Sequence, residues 1–215
     1  MMEIIETGLV FNNLKRRSSN SMVVLHHSAS RDVPAAEIHA WHLAKGWAGI
    51  GYHFVIRKNG SIERARPLEM IGAHAGPEVN GHSIGICLTG DFMKEEPTAA
   101  QIESLISLLA WLNQIYAASN PQGLDVKLHR EVGATACPGD MFPVEQIRNL
   151  YPPAAGDQGG RGAEEWKNGI MLEALRIGLI TEGHQPDEPA PKWFVLAVAM
   201  HVLELIKNGG NEFEG

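Results

Sequence analysis

Histidine stands at the end of two short apolar runs that lie far apart in the chain. Met22-Val23-Val24-Leu25 runs into His26-His27-Ser28, and Val126-Lys127-Leu128 runs into His129, with seven residues between His129 and Cys137. Short apolar runs of this kind read as buried strands. Groups presented at strand ends sit on rigid elements, which suits a site that needs fixed geometry. Cys137 precedes Pro138-Gly139 on a stretch without periodicity, which can fold back toward His129. A fold that holds these pieces can therefore gather two histidines and a cysteine at one sheet edge.

Such a donor set has a chemistry. His and Cys ligands suit zinc, a borderline-soft ion, and three protein ligands leave a fourth position open, as a catalytic zinc site requires. His26, His129 and Cys137 are accordingly the candidate Zn2+ ligands. Alternation along a strand sends His27 to the face opposite His26, so His27 is expected to be a structural partner rather than a ligand. The same residues admit a second reading, a thiol hydrolase with Cys137 as nucleophile and His26 or His129 as base. That reading leaves one histidine without a task and offers no oxyanion hole beside Pro138.

A metal-activated water also needs a group that stabilises the oxyanion or handles a proton. Tyr52, in Gly51-Tyr52-His53-Phe54, is a candidate, the alternative being a half-buried aromatic with a wet hydroxyl. Thr135, two residues before Cys137, faces the same way in an extended segment and can donate a hydrogen bond. His53, His74 and His82 are further polar aromatics, and Gly72-Ala73-His74-Ala75-Gly76 surrounds His74 with small residues that leave room for a ligand. Asn80-Gly81-His82-Ser83 reads as a turn. Cys87, inside the apolar run Ser83–Leu88, reads as a small buried hydrophobe. Two cysteines make no disulfide framework.

Composition narrows the field. A net charge of −7 and the lack of any basic cluster argue against nucleic acid and against attraction to an anionic membrane surface. An apolar content of 44% with 20% charged residues suits a globular protein, and no apolar run is long enough to span a bilayer. The first residues, Met1-Met2-Glu3-Ile4-Ile5-Glu6, lack a basic start followed by an apolar core. The expectation is synthesis in the cytoplasm without a signal peptide.

Periodicity supplies the organisation. Pro34 to Lys45 reads as a helix with Ile38, Trp41 and His42 on one face, stopped by Gly46. Tyr52 to Arg57 and Ser61 to Arg66 read as strands joined at Asn59-Gly60, a two-residue hairpin signal. Ile84 to Leu88 is a further strand. Thr98 and Gln101 have capping-box spacing and open a helix carrying Ile102, Leu105, Ile106, Leu109, Leu112 and Tyr116, which ends before Asn120-Pro121. Strands alternating with helices, with one hairpin among them, predict an α/β fold with a mixed central sheet flanked by helices. The Pro/Gly-rich stretch 151–162 reads as a linker. It separates a domain over residues 1–150 from a small helical module over 163–215, with helices expected at 163–180 and 191–207. Two helices make a thin core, so this module is expected to pack on the first domain or on a second copy of itself, which would make a homo-oligomer.

Several motifs together resemble one family. Val24-Leu25-His26-His27-Ser28-Ala29, Trp41-His42 with Gly46-Trp47, Gly51-Tyr52-His53-Phe54-Val55-Ile56, Gly72-Ala73-His74, Asn80 with Ser83-Ile84-Gly85-Ile86, and His129-Arg130-Glu131 with Thr135-Ala136-Cys137-Pro138-Gly139 are similar in order and spacing to the type 2 zinc-dependent N-acetylmuramoyl-L-alanine amidases. That group includes phage lysozymes of the amidase kind and peptidoglycan recognition proteins. The resemblance implies a mixed sheet with a zinc in a surface cleft. It implies cleavage of the amide between N-acetylmuramic acid and the L-alanine of the peptidoglycan stem. It also implies His26, His129 and Cys137 as zinc ligands and Tyr52 as the catalytic tyrosine. Thr135 stands where some members have lysine and others threonine, and a threonine brings no positive charge to an oxyanion. Another branch has a glutamate base at the position of Cys87, so this chain sides with the tyrosine branch. His53, His74 and Asn80 are expected to bind substrate. The tail from about 163 resembles small helical cell-wall modules through Trp166, Gly178-Leu179-Ile180 and Trp193. The expected protein is a phage or prophage endolysin acting on the wall after release. The competing expectations are a peptidoglycan-recognition module that does not cut and a bacterial autolysin or recycling amidase.

Overall fold

Six strands, β1 Ile4–Glu6, β2 Met22–His27, β3 Phe54–Ile56, β4 Ile62–Arg64, β5 Ser83–Leu88 and β6 Asp125–Leu128, form one sheet in the order β1-β4-β3-β5-β2-β6. The computed structural model describes residues 3–150. The β3–β4 pair is antiparallel and the other named pairs are parallel, so the sheet is mixed, as the alternation of strands and helices predicts. Five helices accompany it among the described residues: α1 Ala35–Ala44, α2 Pro77–Asn80, α3 Ala99–Tyr116, α4 His129–Val132 and α5 Val144–Leu150. The chain divides into two units, Met1–Asp157 and Gln158–Gly215. The expected linker at 151–162 and the module at 163–215, with its cell-wall or oligomer role, lie outside the described residues.

Each face of the sheet has its own cover. Val23 and Leu25 of β2, Phe54 and Ile56 of β3, and Ile84, Ile86 and Leu88 of β5 join Leu105, Leu108 and Leu112 of α3 and Ile147 of α5 in one apolar cluster. Val55 and Cys87 join Ala35 and Ile38 of α1 in a second. The period of two along a strand places His26, Val55, Ser83, Gly85 and Cys87 on the α1 side.

Local sequence sets the element ends. Thr98 Oγ1 accepts from the Gln101 N–H at 3.1 Å and Gln101 Oε1 accepts from the Thr98 N–H at 3.1 Å, which closes the expected capping box. The Gln101 amide also donates to the carbonyls of Ile56 and Thr89 at 3.2 and 2.9 Å, tying α3 to the sheet. The expected hairpin forms with one residue more than its dipeptide suggests. The Arg57 N–H still donates to the Ser61 carbonyl at 2.9 Å, so the turn is Lys58-Asn59-Gly60, with Gly60 at φ +87°. His129 opens α4 directly after β6 rather than closing the strand.

Candidate active site

His26, His129 and Cys137 meet at the end of β2. One ligand atom from each lies within 4.8 Å of the others. His26 Nδ1 is 3.8 Å from Cys137 Sγ, and the His26 and His129 rings have centroids 4.4 Å apart. Tetrahedral zinc with Zn–N of ~2.0–2.1 Å and Zn–S of ~2.3 Å needs an N–S separation of about 3.6 Å, so the gap needs only a small contraction. The loop that carries Cys137 is held from both sides. The Arg130 N–H donates to the Cys137 carbonyl at 2.9 Å, and the His27 N–H points at Cys137 Sγ from 3.4 Å.

The electrostatics fit the same donor set. Burial, reinforced by His74, His129 and His27, holds the His26 pKa well below its ordinary value, and burial lowers that of His129. Both rings are thus neutral and able to ligate at neutral pH. Burial pushes the Cys137 thiol up to about 11, against the opposing pull of the His27 N–H and Arg130. A cation would displace that proton and supply the missing positive charge.

Tyr52 lies beside this cluster, its ring 5.1 Å from that of His26. Burial first, and then the two cysteines, keeps its pKa well above the ordinary tyrosine value. It is therefore a donor across the whole working pH range. Two histidines that sequence reasoning left without a role aim it. His39 and His42, three apart on α1, accept the backbone N–H groups of Ile50 and Gly51 at 3.2 and 3.0 Å and so fix the segment entering Tyr52. Their spacing on one helical face was the available signal. Gly51 is required there, because a Cβ would lie 2.0 Å from the Ala73 carbonyl oxygen.

The remaining expected site residues fall in different places. Thr135 is exposed at the rim, and its Oγ1 accepts from the Cys137 N–H at 3.2 Å. His27 accepts from the Phe92 N–H through Nδ1 at 3.1 Å and serves the opposite face, as alternation requires. His74 is buried, with Nδ1 3.0 Å from His26 Nε2. Asn80 Oδ1 accepts from the N–H groups of His74 and Ala75 at 3.0 and 2.9 Å and holds that loop. His53, also expected to bind substrate, lies in the interior. It is fully buried, its Nδ1 accepts from the Gly85 N–H at 3.0 Å, and its Nε2 lies 2.9 Å from the Met70 carbonyl. With both nitrogens engaged and no exposed surface, it braces the start of β3 against β5 in the middle of the sheet.

Residues 16–140 match the N-acetylmuramoyl-L-alanine amidase family. The chain belongs to that family. As an amidase of this kind it is 37% identical over 132 residues to the endolysin of Escherichia phage T7, across 58% of this chain and 83% of that one. It is 34% identical over 119 residues to peptidoglycan recognition protein 1 of Bos taurus, across 54% of this chain and 61% of that one. Among solved structures, an N-acetylmuramoyl-L-alanine amidase from Clostridium intestinale superposes with a TM-score of 0.64 at 38% identity, covering 69% of this amidase and 96% of that chain.

Proposed function

We propose that this chain is a phage endolysin, a zinc amidase that hydrolyses the bond between N-acetylmuramic acid and the stem L-alanine of peptidoglycan after release to the cell wall. The observation that carries the reading is the convergence of His26, His129 and Cys137 beside the Tyr52 phenol. Similarity to the endolysin of phage T7 supports the lytic role. No helix among the described residues is long and apolar enough to cross a membrane, which accords with an enzyme that meets its substrate in the wall.

His26, His129 and Cys137 would hold the ion. The chemistry zinc supplies in such a site is polarisation of a carbonyl oxygen and a lowering of the pKa of water to about 7. The residues of the chain do the rest. Tyr52, kept protonated, donates its phenolic hydrogen to the oxygen on which charge develops when the amide carbon becomes tetrahedral. Thr135 adds a neutral hydroxyl at the rim and no charge. Its lone pair, taken by the Cys137 N–H, keeps the ligand loop in place.

The test is metal content measured with turbidity loss of purified cell walls, before and after chelation and zinc re-addition. The expected result is about one zinc per chain, lysis that stops on chelation and returns with zinc, and new L-alanine amino groups. Zinc binding without amine release on any wall type would support recognition without cutting. Activity that survives chelation would favour the thiol mechanism.

A further inference from the structure

His74 occupies a slot made for its ring. A Cβ on Gly72 or on Gly85 would lie 2.5 Å from His74 Cδ2, so bare backbone on both sides is what admits the imidazole. Asn80 fixes the loop behind it through the two N–H groups described above. A ring held this firmly makes directed hydrogen bonds, and their directions can be worked out from one end.

The Ser83 hydroxyl has a single proton and donates it to the Val79 carbonyl at 2.7 Å. Toward His74 Nε2, 3.5 Å away, Ser83 Oγ can then only accept. His74 Nε2 therefore carries the hydrogen. With its ring proton on Nε2, His74 has Nδ1 as a bare acceptor. His26 Nε2, 3.0 Å from that acceptor, must be the donor. With its own ring proton on Nε2, His26 keeps the lone pair on Nδ1, the nitrogen 3.8 Å from Cys137 Sγ. The opposite tautomers would set a His74 Nε2 lone pair against a hydroxyl whose proton is already committed.

We infer that the chain Val79–Ser83–His74 fixes His26 as its Nε2–H tautomer, so that Nδ1 is the atom offered to the metal and His74 is the positioning residue of the zinc site. The role toward metal rests on the zinc reading above, whereas the tautomer belongs to the metal-free chain. Outer partners of metal-bound histidines act in this way, fixing tautomer and ring orientation.

Two measurements decide it. Long-range proton–nitrogen NMR of the metal-free full-length wild type should show His26 and His74 both protonated at Nε2. A proton on His26 Nδ1 would overturn the inference without reference to any variant. Zinc dissociation constants, measured by competition with a chromophoric chelator, should rise about 10- to 100-fold in His74→Leu. In His74→Asn, whose amide oxygen can replace the Nδ1 acceptor, much of the affinity should return. Ser83→Ala should show a smaller loss and serves if His74→Leu does not fold. Equal zinc affinity in wild type and folded His74→Leu would remove His74 from the positioning role. Failure of the wild type itself to bind zinc would sink the zinc reading and that role with it, while the spectrum still decides the tautomer.

Discussion

Along β5 the two faces of the sheet part company. Ile84, Ile86 and Leu88 point toward α3 and fill the larger apolar cluster, while Ser83, Gly85 and Cys87 point toward α1 and leave room there for His74 and the Tyr52 phenol. β2 repeats the pattern, with Val23 and Leu25 on the first side and His26 on the second. The α3 face is mainly hydrocarbon, with Gln101 and His27 as hydrogen-bonded exceptions, and its stability comes chiefly from area removed from water and from close packing. The α1 face buries histidines, which must be hydrogen-bonded to be tolerated. His39, His42, His53 and His74 all find partners. One strand thus serves both stability and chemistry, separated only by the period of two.

If that division is right, substitutions on the two faces should have opposite signatures. On the proposed zinc reading, Cys137→Ser removes a thiolate ligand. Loss of the metal's several kcal/mol corresponds to a fall in amide hydrolysis of about a thousandfold or more. Unfolding in urea with chelator present should change by less than about 1 kcal/mol. Leu105→Ala, fully buried on the α3 side, should do the reverse. It should lower unfolding stability by about 3–4 kcal/mol and leave zinc affinity within about twofold, because additivity holds between distant sites. A large drop in zinc affinity in Leu105→Ala would break the comparison. Tyr52→Phe sharpens it within the α1 face. The variant should retain full zinc content and lose about 10²- to 10³-fold in turnover, the range for removing one oxyanion donor. Amine release and metal analysis on the same sample check both halves.

How much of this could be read beforehand followed the range of the interaction. The capping box of Thr98 and Gln101, the turn at Gly60 and the end of α1 at Gly46 are local, and each was legible in a few residues. The meeting of His26, His129 and Cys137 was legible because His26 lies at the end of β2 and His129 directly follows its neighbour β6. β1 was missed because three residues at a sheet edge carry no periodicity, and its pairing with β4 spans 58 positions from Ile4 to Ile62. The one-turn helices α2 and α4 were missed for the same lack of period. His53 was assigned to substrate because a histidine next to Tyr52 gives no local sign of which way it is spent. Its partners, Gly85 and Met70, are brought to it only by the folded sheet. His74 looked like a residue in open space among glycines, yet those glycines make the slot that its ring fills.

The smallest expected effect lies where the ends of three strands are tied together. Asp32 follows β2 and accepts from Arg57 Nε and Nη2 at 2.8 and 2.9 Å, from the Lys58 N–H at 3.2 Å and from the Thr89 hydroxyl at 2.6 Å. It therefore joins the ends of β2, β3 and β5 through polar contacts alone. The Arg57 guanidinium first, then Thr89 and the Lys58 N–H, hold its carboxyl well below the ordinary value against the opposing effect of burial. A carboxyl depressed in the folded state stabilises the fold above its unfolded pKa of about 3.9, and that contribution fades as pH falls toward the folded value. The group is about a third exposed, so solvent screening trims the effect. Asp32→Asn should lower stability by about 1 kcal/mol at pH 7. The gap between wild type and variant should narrow as the pH drops below about 4. Thermal unfolding of both proteins across that range gives the answer. A gap that stays constant into acid would show that Asp32 acts through the geometry of its hydrogen bonds rather than its charge, and the strand ends that both faces share would then be joined by shape alone.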